Sequence, residues 1–141
     1  MKSKAPLVLM EQVVMVLVFA MTAAVCLRMF VLADRLSVKY EARDHAVIEA
    51  QNAAEWLKQG AAEEYLSQYE AVGNEGIWTV RFDRQWNVTV QQENAEYFLQ
   101  IIPVESERDT LWEAEIVVVS ENEELFRLTV AGQKTEVDED A

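Results

Sequence analysis

Residues 41–60 read EARDHAVIEAQNAAEWLKQG. Alanine and strong helix formers dominate, and no Gly or Pro occurs from Val31 to Lys58. Leu32, Leu36, Tyr40, Val47, Ala50, Ala54 and Leu57 recur at helical spacing, which predicts one apolar stripe along one face. Arg43 interrupts that stripe. Lys58 in the last turn and Gly60 just beyond it are the residues on which helices end. Nothing upstream stops the helix before the apolar stretch that precedes it. The economical reading is one unbroken helix over 7–58, roughly 75–80 Å long at 1.5 Å per residue. Half of it is then apolar on all sides and half is amphipathic.

The upstream half, Leu7 to Ala33, offers 27 residues interrupted by Glu11, Gln12, Thr22 and Arg28. About 20 mostly apolar residues cross a bilayer, so a transmembrane helix is expected over 7–33. Arg28 lies near its far end, where a long stem reaches the interface. Lys2 and Lys4, with no acid before Glu11, predict a cytoplasmic N-terminus. The expectation is therefore a single-pass protein of the cell membrane with an extracytoplasmic C-terminal domain. A cleaved secretory signal is the rival reading. Glu11 and Gln12 would break its apolar core, and no clean A-x-A site follows.

Downstream, AAEEYLSQY (61–69) suggests a further turn or two of helix, and VGNEG (72–76) reads as a break. The period then changes from 3.6 to 2. IWTVRF (77–82), WNVTVQ (86–91), EYFLQIIPV (96–104), LWEAEIVVVS (111–120) and ELFRLTV (124–130) are β-branched or aromatic runs with short polar links. Short links between successive strands make hairpins, hence an antiparallel sheet. Trp86, Val88 and Val90 share one face; Trp112, Ala114, Ile116 and Val118 oppose Glu113 and Glu115. One face is wet and one is covered. The outer half of the long helix is the element with a spare apolar stripe to cover it. The fold class expected is α+β, a long helix packed on a four- to five-stranded antiparallel sheet. Its segments are a leader (1–6), a membrane helix (7–33), its extracytoplasmic continuation (34–58), a β domain (59–132) and an acidic tail (133–141).

The net charge is −13, unevenly spread. Residues 1–33 carry Lys2, Lys4 and Arg28 against Glu11; residues 34–141 carry nine basic and twenty-four acidic side chains. An acidic domain does not bind nucleic acid directly, because nothing displaces the counterions. One cysteine, Cys26, permits no intrachain disulfide, and with one histidine it excludes a Cys/His zinc site. No phosphate-binding glycine loop or nucleophile setting appears, so neither an enzyme nor a cofactor is expected. His45 reads as a solvated or packing residue. Trp56, Trp78, Trp86 and Trp112 read as core or rim rather than ligand surface. The acidic runs SENEE (120–124) and EVDED (136–140) lack calcium-loop spacing and read as solvated.

A basic leader, a short apolar stretch, a glutamate, and a spanning helix that continues into an amphipathic one before a hairpin sheet: this order resembles the type IV pilins and type II secretion pseudopilins. The resemblance is strongest over residues 1–58, where KSKAPLVLMEQVVMVLVFAMTAAV looks like a prepilin leader and N-terminal helix. It implies that a prepilin peptidase cuts between Pro6 and Leu7, which makes Glu11 the fifth residue of the mature chain. It further implies that the Glu11 carboxylate meets the free α-amine of a neighbouring subunit's Leu7 in a filament core. This chain has Pro6 where the family has glycine, and Leu7 where it has phenylalanine. The partners implied are other pilin-like subunits and an inner-membrane assembly platform, in secretion, DNA uptake or adhesion. The small acidic head leans toward a minor subunit. The alternative is a single-pass anchor that presents an extracytoplasmic binding domain and joins no filament.

Overall fold

The computed structural model describes residues 4–121 and 123–134. The chain divides into two compact units, Met1–Glu41 and Ala42–Ala141. The helix α1 (Ala5–Lys58) contributes to both. It starts two residues before Leu7, so Pro6 stands in its first turn. A proline there costs no hydrogen bond, because the first N–H groups of a helix have no partner within it.

In the first unit every described residue, 4–41, is exposed. Leu7, Phe19 and Phe30 are each more than 70% exposed. A helix with apolar side chains on all sides and no packing partner in its own chain needs an apolar surrounding. This helix is long and apolar enough to cross a membrane. Within it the Thr22 hydroxyl donates to the Val18 carbonyl at 2.8 Å, one turn back, which satisfies that polar group inside the helix.

The second unit is an α+β domain. The end of α1 is followed by α2 (Ala62–Gln68) and then β1 (Val72–Asn74), β2 (Ile77–Phe82), β3 (Tyr97–Val104), β4 (Leu111–Ser120) and β5 (Glu123–Gln133). The five strands form one antiparallel sheet in chain order. Gly60, at φ +75°, ends α1. Its N–H donates to Leu57 and that of Ala61 donates to Trp56, the paired bonds of a Schellman cap. The helix expected over 61–69 is therefore a separate element. Glu70, at φ +49°, ends it through the same two bonds, to Ser67 and Leu66.

The seam of α1 against the sheet keeps the Ala50, Ala54 and Leu57 end of the expected stripe and not its Leu32, Leu36 and Tyr40 end. Ala46, Ala50, Ala53 and Ala54 are buried, with Ala42, Trp56 and Leu57 beside them. Leu32, Leu36 and Tyr40 are exposed, and Val47 is half-buried. The alanines give α1 a low-relief face, and the strands supply the volume: Val80, Phe82, Leu99, Ile116 and Val118 are all but fully buried. The expected stripe placed Ala50, Ala54 and Leu57 on the contact, ran on upstream to residues that are exposed, and left out Ala46 and Ala53.

Two strand assignments also change. VGNEG is not a break. Its first three residues are β1, and Glu75 (φ +51°) and Gly76 (φ +85°) form a two-residue turn into β2. Conversely, WNVTVQ is not a strand. Trp86 turns to φ +64°, Val88 makes a single bridge to Phe82, and Val88 and Val90 are exposed. The inner edge of β2 is taken by β3, and its outer edge is taken by β1 as far as Thr79, so only the Arg81–Phe82 end is left for this segment. On the sheet's other face, Arg127 bridges Glu115 at 2.6 Å and Glu124 at 2.8 Å over the buried Val117 opposite it. The tail beyond Lys134 and the EVDED run lie outside the described residues.

Candidate functional site

Pro6, Leu7 and Glu11 occupy the first two turns of α1. Leu7 and Glu11 are four residues apart, which puts them on one helix face. Glu11 makes no hydrogen bond or ion pair with a described residue. It is exposed, between apolar residues on both sides. An isolated carboxylate at the bilayer centre costs about 2.5–3.5 kcal/mol on insertion scales. A cation on a second chain, or water at the interface, would remove that cost.

The second unit holds two further features. The first is an aromatic and acidic cluster at the α1–α2 end of the core. Tyr65 has no exposed surface, and its hydroxyl lacks a hydrogen-bond partner. The Glu49 Oε2 is likewise buried and unpartnered. Tyr65 stacks on Tyr69 with ring centroids 4.4 Å apart. Burial pushes the Glu49 carboxyl up, against smaller downward effects of Asn52 and His45. Burial also pushes the Tyr65 hydroxyl up, aided by Tyr69 and by the charge of Glu49. His45 packs rather than dissolves: it stacks on Trp86 at 5.4 Å, and Trp86 stacks on Tyr97 at 4.1 Å.

Glu49 gives this cluster a pH dependence whose sign is fixed. The folded carboxyl holds its proton more tightly than the unfolded one, so folding takes up a proton between the two pKa values. The contribution of Glu49 to stability is then fully present below its ordinary value of 4.5 and is lost as pH rises through the raised folded value. Replacing it with glutamine removes the loss. Denaturant midpoints of Glu49→Gln should therefore gain on those of the parent chain as pH is raised from 4.5 to 7. A constant difference between the two proteins over that range would refute this.

The second feature is a cleft of about 360 Å³ lined by Leu57, Leu66, Trp78, Ile101, Pro103 and Trp112, with Glu113 at its margin. It lies past the end of α1, where the Schellman cap stops the helix and leaves the ends of β3 and β4 uncovered. Glycines hold both tryptophans in place. Gly73 lies opposite Trp78, and Gly132 lies opposite Trp112. A Cβ at Gly73 would come within 2.8 Å of the Trp78 ring, and one at Gly132 would collide with Trp112. Trp56, Trp86 and Trp112 pack against the core as expected, but Trp78 is 39% exposed.

Among the described residues no three His, Cys, Asp or Glu side chains gather as metal ligands. Of the features of the second unit, the sequence reading missed the Glu49–Tyr65 cluster and the tryptophan cleft. Only strand register could reveal the glycine opposite each tryptophan. In comparisons with known proteins, no family model, no curated protein and no solved structure matches this chain significantly.

Proposed function

We propose that this chain is a pilin-like or pseudopilin-like subunit, a minor one, of a bacterial envelope filament used in secretion, DNA uptake or adhesion. In this reading its α+β head stands outside the cell membrane, and its α1 helices pack side by side. The observation that carries the reading is Glu11. Among the described residues it is an unpartnered carboxylate, in the second turn of a helix whose described residues up to Glu41 are all exposed. After a cut between Pro6 and Leu7, Glu11 meets the new α-amine of a neighbour, and the two charges offset each other's desolvation. Pro6 in the first turn of α1 means that the peptidase has to unwind that turn to reach the bond.

Removing one partner of a buried ion pair costs about 3–5 kcal/mol. Glu11→Ala at equal expression should therefore cut co-assembly with partner subunits more than roughly a hundredfold, read by in-membrane cross-linking. Unchanged assembly overturns the role of Glu11. The tryptophan cleft favours a second reading, a single-pass anchor that presents a binding domain. The mass of the mature N-terminus bears on both: a chain that begins at Leu7 supports the filament subunit, and one that begins at Met1 favours the anchor or an unprocessed pilin-like chain.

A further inference from the structure

Two charges in the first unit have no use under either reading. Asp34 and Arg35 directly follow the apolar stretch that ends at Ala33, and both are exposed. Neither makes a hydrogen bond or ion pair with a described residue. Adjacent side chains on a helix do not face each other. One turn away from Asp34 stand Phe30, Val31, Ser37 and Val38, none of them a cation. One turn away from Arg35 the charged residue is Lys39, a like charge. The helix therefore gives neither of them a counter-charge.

Each residue turns a helix by about 100°. Counted from Asp34, Arg35 stands about 100° round α1, and Val31 and Val38 stand about 60° and 40° round, between the two charges. Val31 is 46% exposed and Val38 is 61% exposed. The flanks repeat by heptads: Glu41 continues the side of Asp34, and Arg28 continues the side of Arg35. The face is an apolar column with acid on one side and base on the other. Towards the N-terminus the same column runs through Leu27, Ala24 and Ala20, where the alanines admit a close neighbour. Its two acids and two bases cancel, so it selects neither anionic lipid nor a partner of one sign.

The occupant that fits carries the mirrored order of charges about the same apolar column. A second copy in the same orientation has that order. A parallel pair turned about a two-fold axis sets the acidic flank of each copy against the basic flank of the other. Both copies bear the same apolar segment, so one bilayer holds them at equal depth. Arg35 of one copy and Asp34 of the other then differ in height by about 1.5 Å, the rise of one residue. We infer that α1 pairs with α1 of a second copy, parallel and in register, along Val31 and Val38, with Arg35 of each copy bound to Asp34 of the other. This pairing needs α1 to cross a membrane, as both readings above do, and needs none of the partners they name. Glu11 lies well over a quarter turn round the helix from the column, so its contacts are separate.

Donor-labelled and acceptor-labelled full chains are mixed in phosphatidylcholine vesicles, and energy transfer is followed against the protein-to-lipid ratio. Arg35→Asp sets like charges opposite each other twice, and so does Asp34→Arg. Each should raise the ratio at half-transfer about tenfold. The double exchange, Asp34→Arg with Arg35→Asp, restores both pairs and should return the parent value. The two single variants mixed with each other should also pair as the parent does. Cross-linking fixes the face. In a Cys26→Ser background, Val38→Cys should form disulfide dimers about tenfold faster than Leu36→Cys, which stands on the far side of α1. Every residue changed is exposed, so folding is kept. Transfer indifferent to Arg35→Asp, a double exchange that does not restore it, or equal cross-linking of the two cysteine variants overturns the proposal. Glu11→Ala should leave the transfer curve unchanged, and a lost dimer there would place the pairing on another face and overturn it too. Filament assembly can thus fail through Glu11 while the dimer persists, so the two proposals fail separately.

Discussion

Ala50→Leu should lower the unfolding free energy of the second unit by about 3 kcal/mol, the upper end of the range for overpacking a well-filled core. Ala50 has no exposed surface and stands in the middle of the row Ala46, Ala50, Ala53 and Ala54. That row is the contact surface of α1 with the sheet. Three added carbons cannot be absorbed by a rotamer change in the facing residues, because Leu99, Ile116 and Val118 are also without exposed surface. Either α1 lifts off the sheet or the strands shift. Leu36→Ala tests the upstream end of the expected stripe. Leu36 is exposed, so its truncation should leave stability within about 0.5 kcal/mol. Denaturant unfolding of the full chain in nanodiscs, followed by tryptophan fluorescence, measures both. A large loss at Leu36 with little change at Ala50 would reverse the assignment of the seam.

The helix was legible because its signals are local. The absence of Gly and Pro from Val31 to Lys58, together with Gly60 at the end, fixed its course and its stop. The strands over 77–82 and 111–120 were legible because β-branched alternation is also local. The seam was not. Periodicity put Ala50, Ala54 and Leu57 on it but also carried the stripe upstream to Leu32 and Leu36, which are exposed, and only the facing strands decide where the contact ends. β1 was missed because three residues with a glycine at their centre carry almost no strand signal. Its place comes from the turn at Glu75 and Gly76, which folds Gly73 beneath Trp78. The candidate sites divide in the same way. Glu11 stands out from the sequence because a lone charge in an apolar run needs no partner to be noticed. The cleft and the Glu49–Tyr65 cluster bring together residues far apart in the chain.

The segment at 86–91 shows how a β-like sequence can make a turn, and Trp86 tests it. Asp83 accepts the N–H groups of Gln85 and Asn87, each at 2.9 Å, and the Trp86 N–H donates to the Asp83 carbonyl. The Asn87 N–H, ahead of its side-chain amide and the Gln85 N–H, holds the Asp83 carboxyl below its ordinary range. This local network outweighs alternation, because Asp and Asn bond their own backbone in turns. At φ +64° the Trp86 backbone is strained for an L-residue by about 1–2 kcal/mol. The ring offsets that strain through its stack on Tyr97 and its contacts with His45 and Phe82. Trp86→Ala should therefore cost about 3 kcal/mol, the low end for losing a tryptophan from a core, since this one is half-buried. Trp86→Gly loses the same contacts but relieves the backbone, so it should be the more stable of the two by about 0.5–1 kcal/mol, even after glycine's greater chain entropy is counted. In a strand the order would be the opposite, because glycine is the poorer strand residue. The sign of the alanine–glycine difference, read from denaturant midpoints, therefore decides between turn and strand whatever the absolute size of the loss.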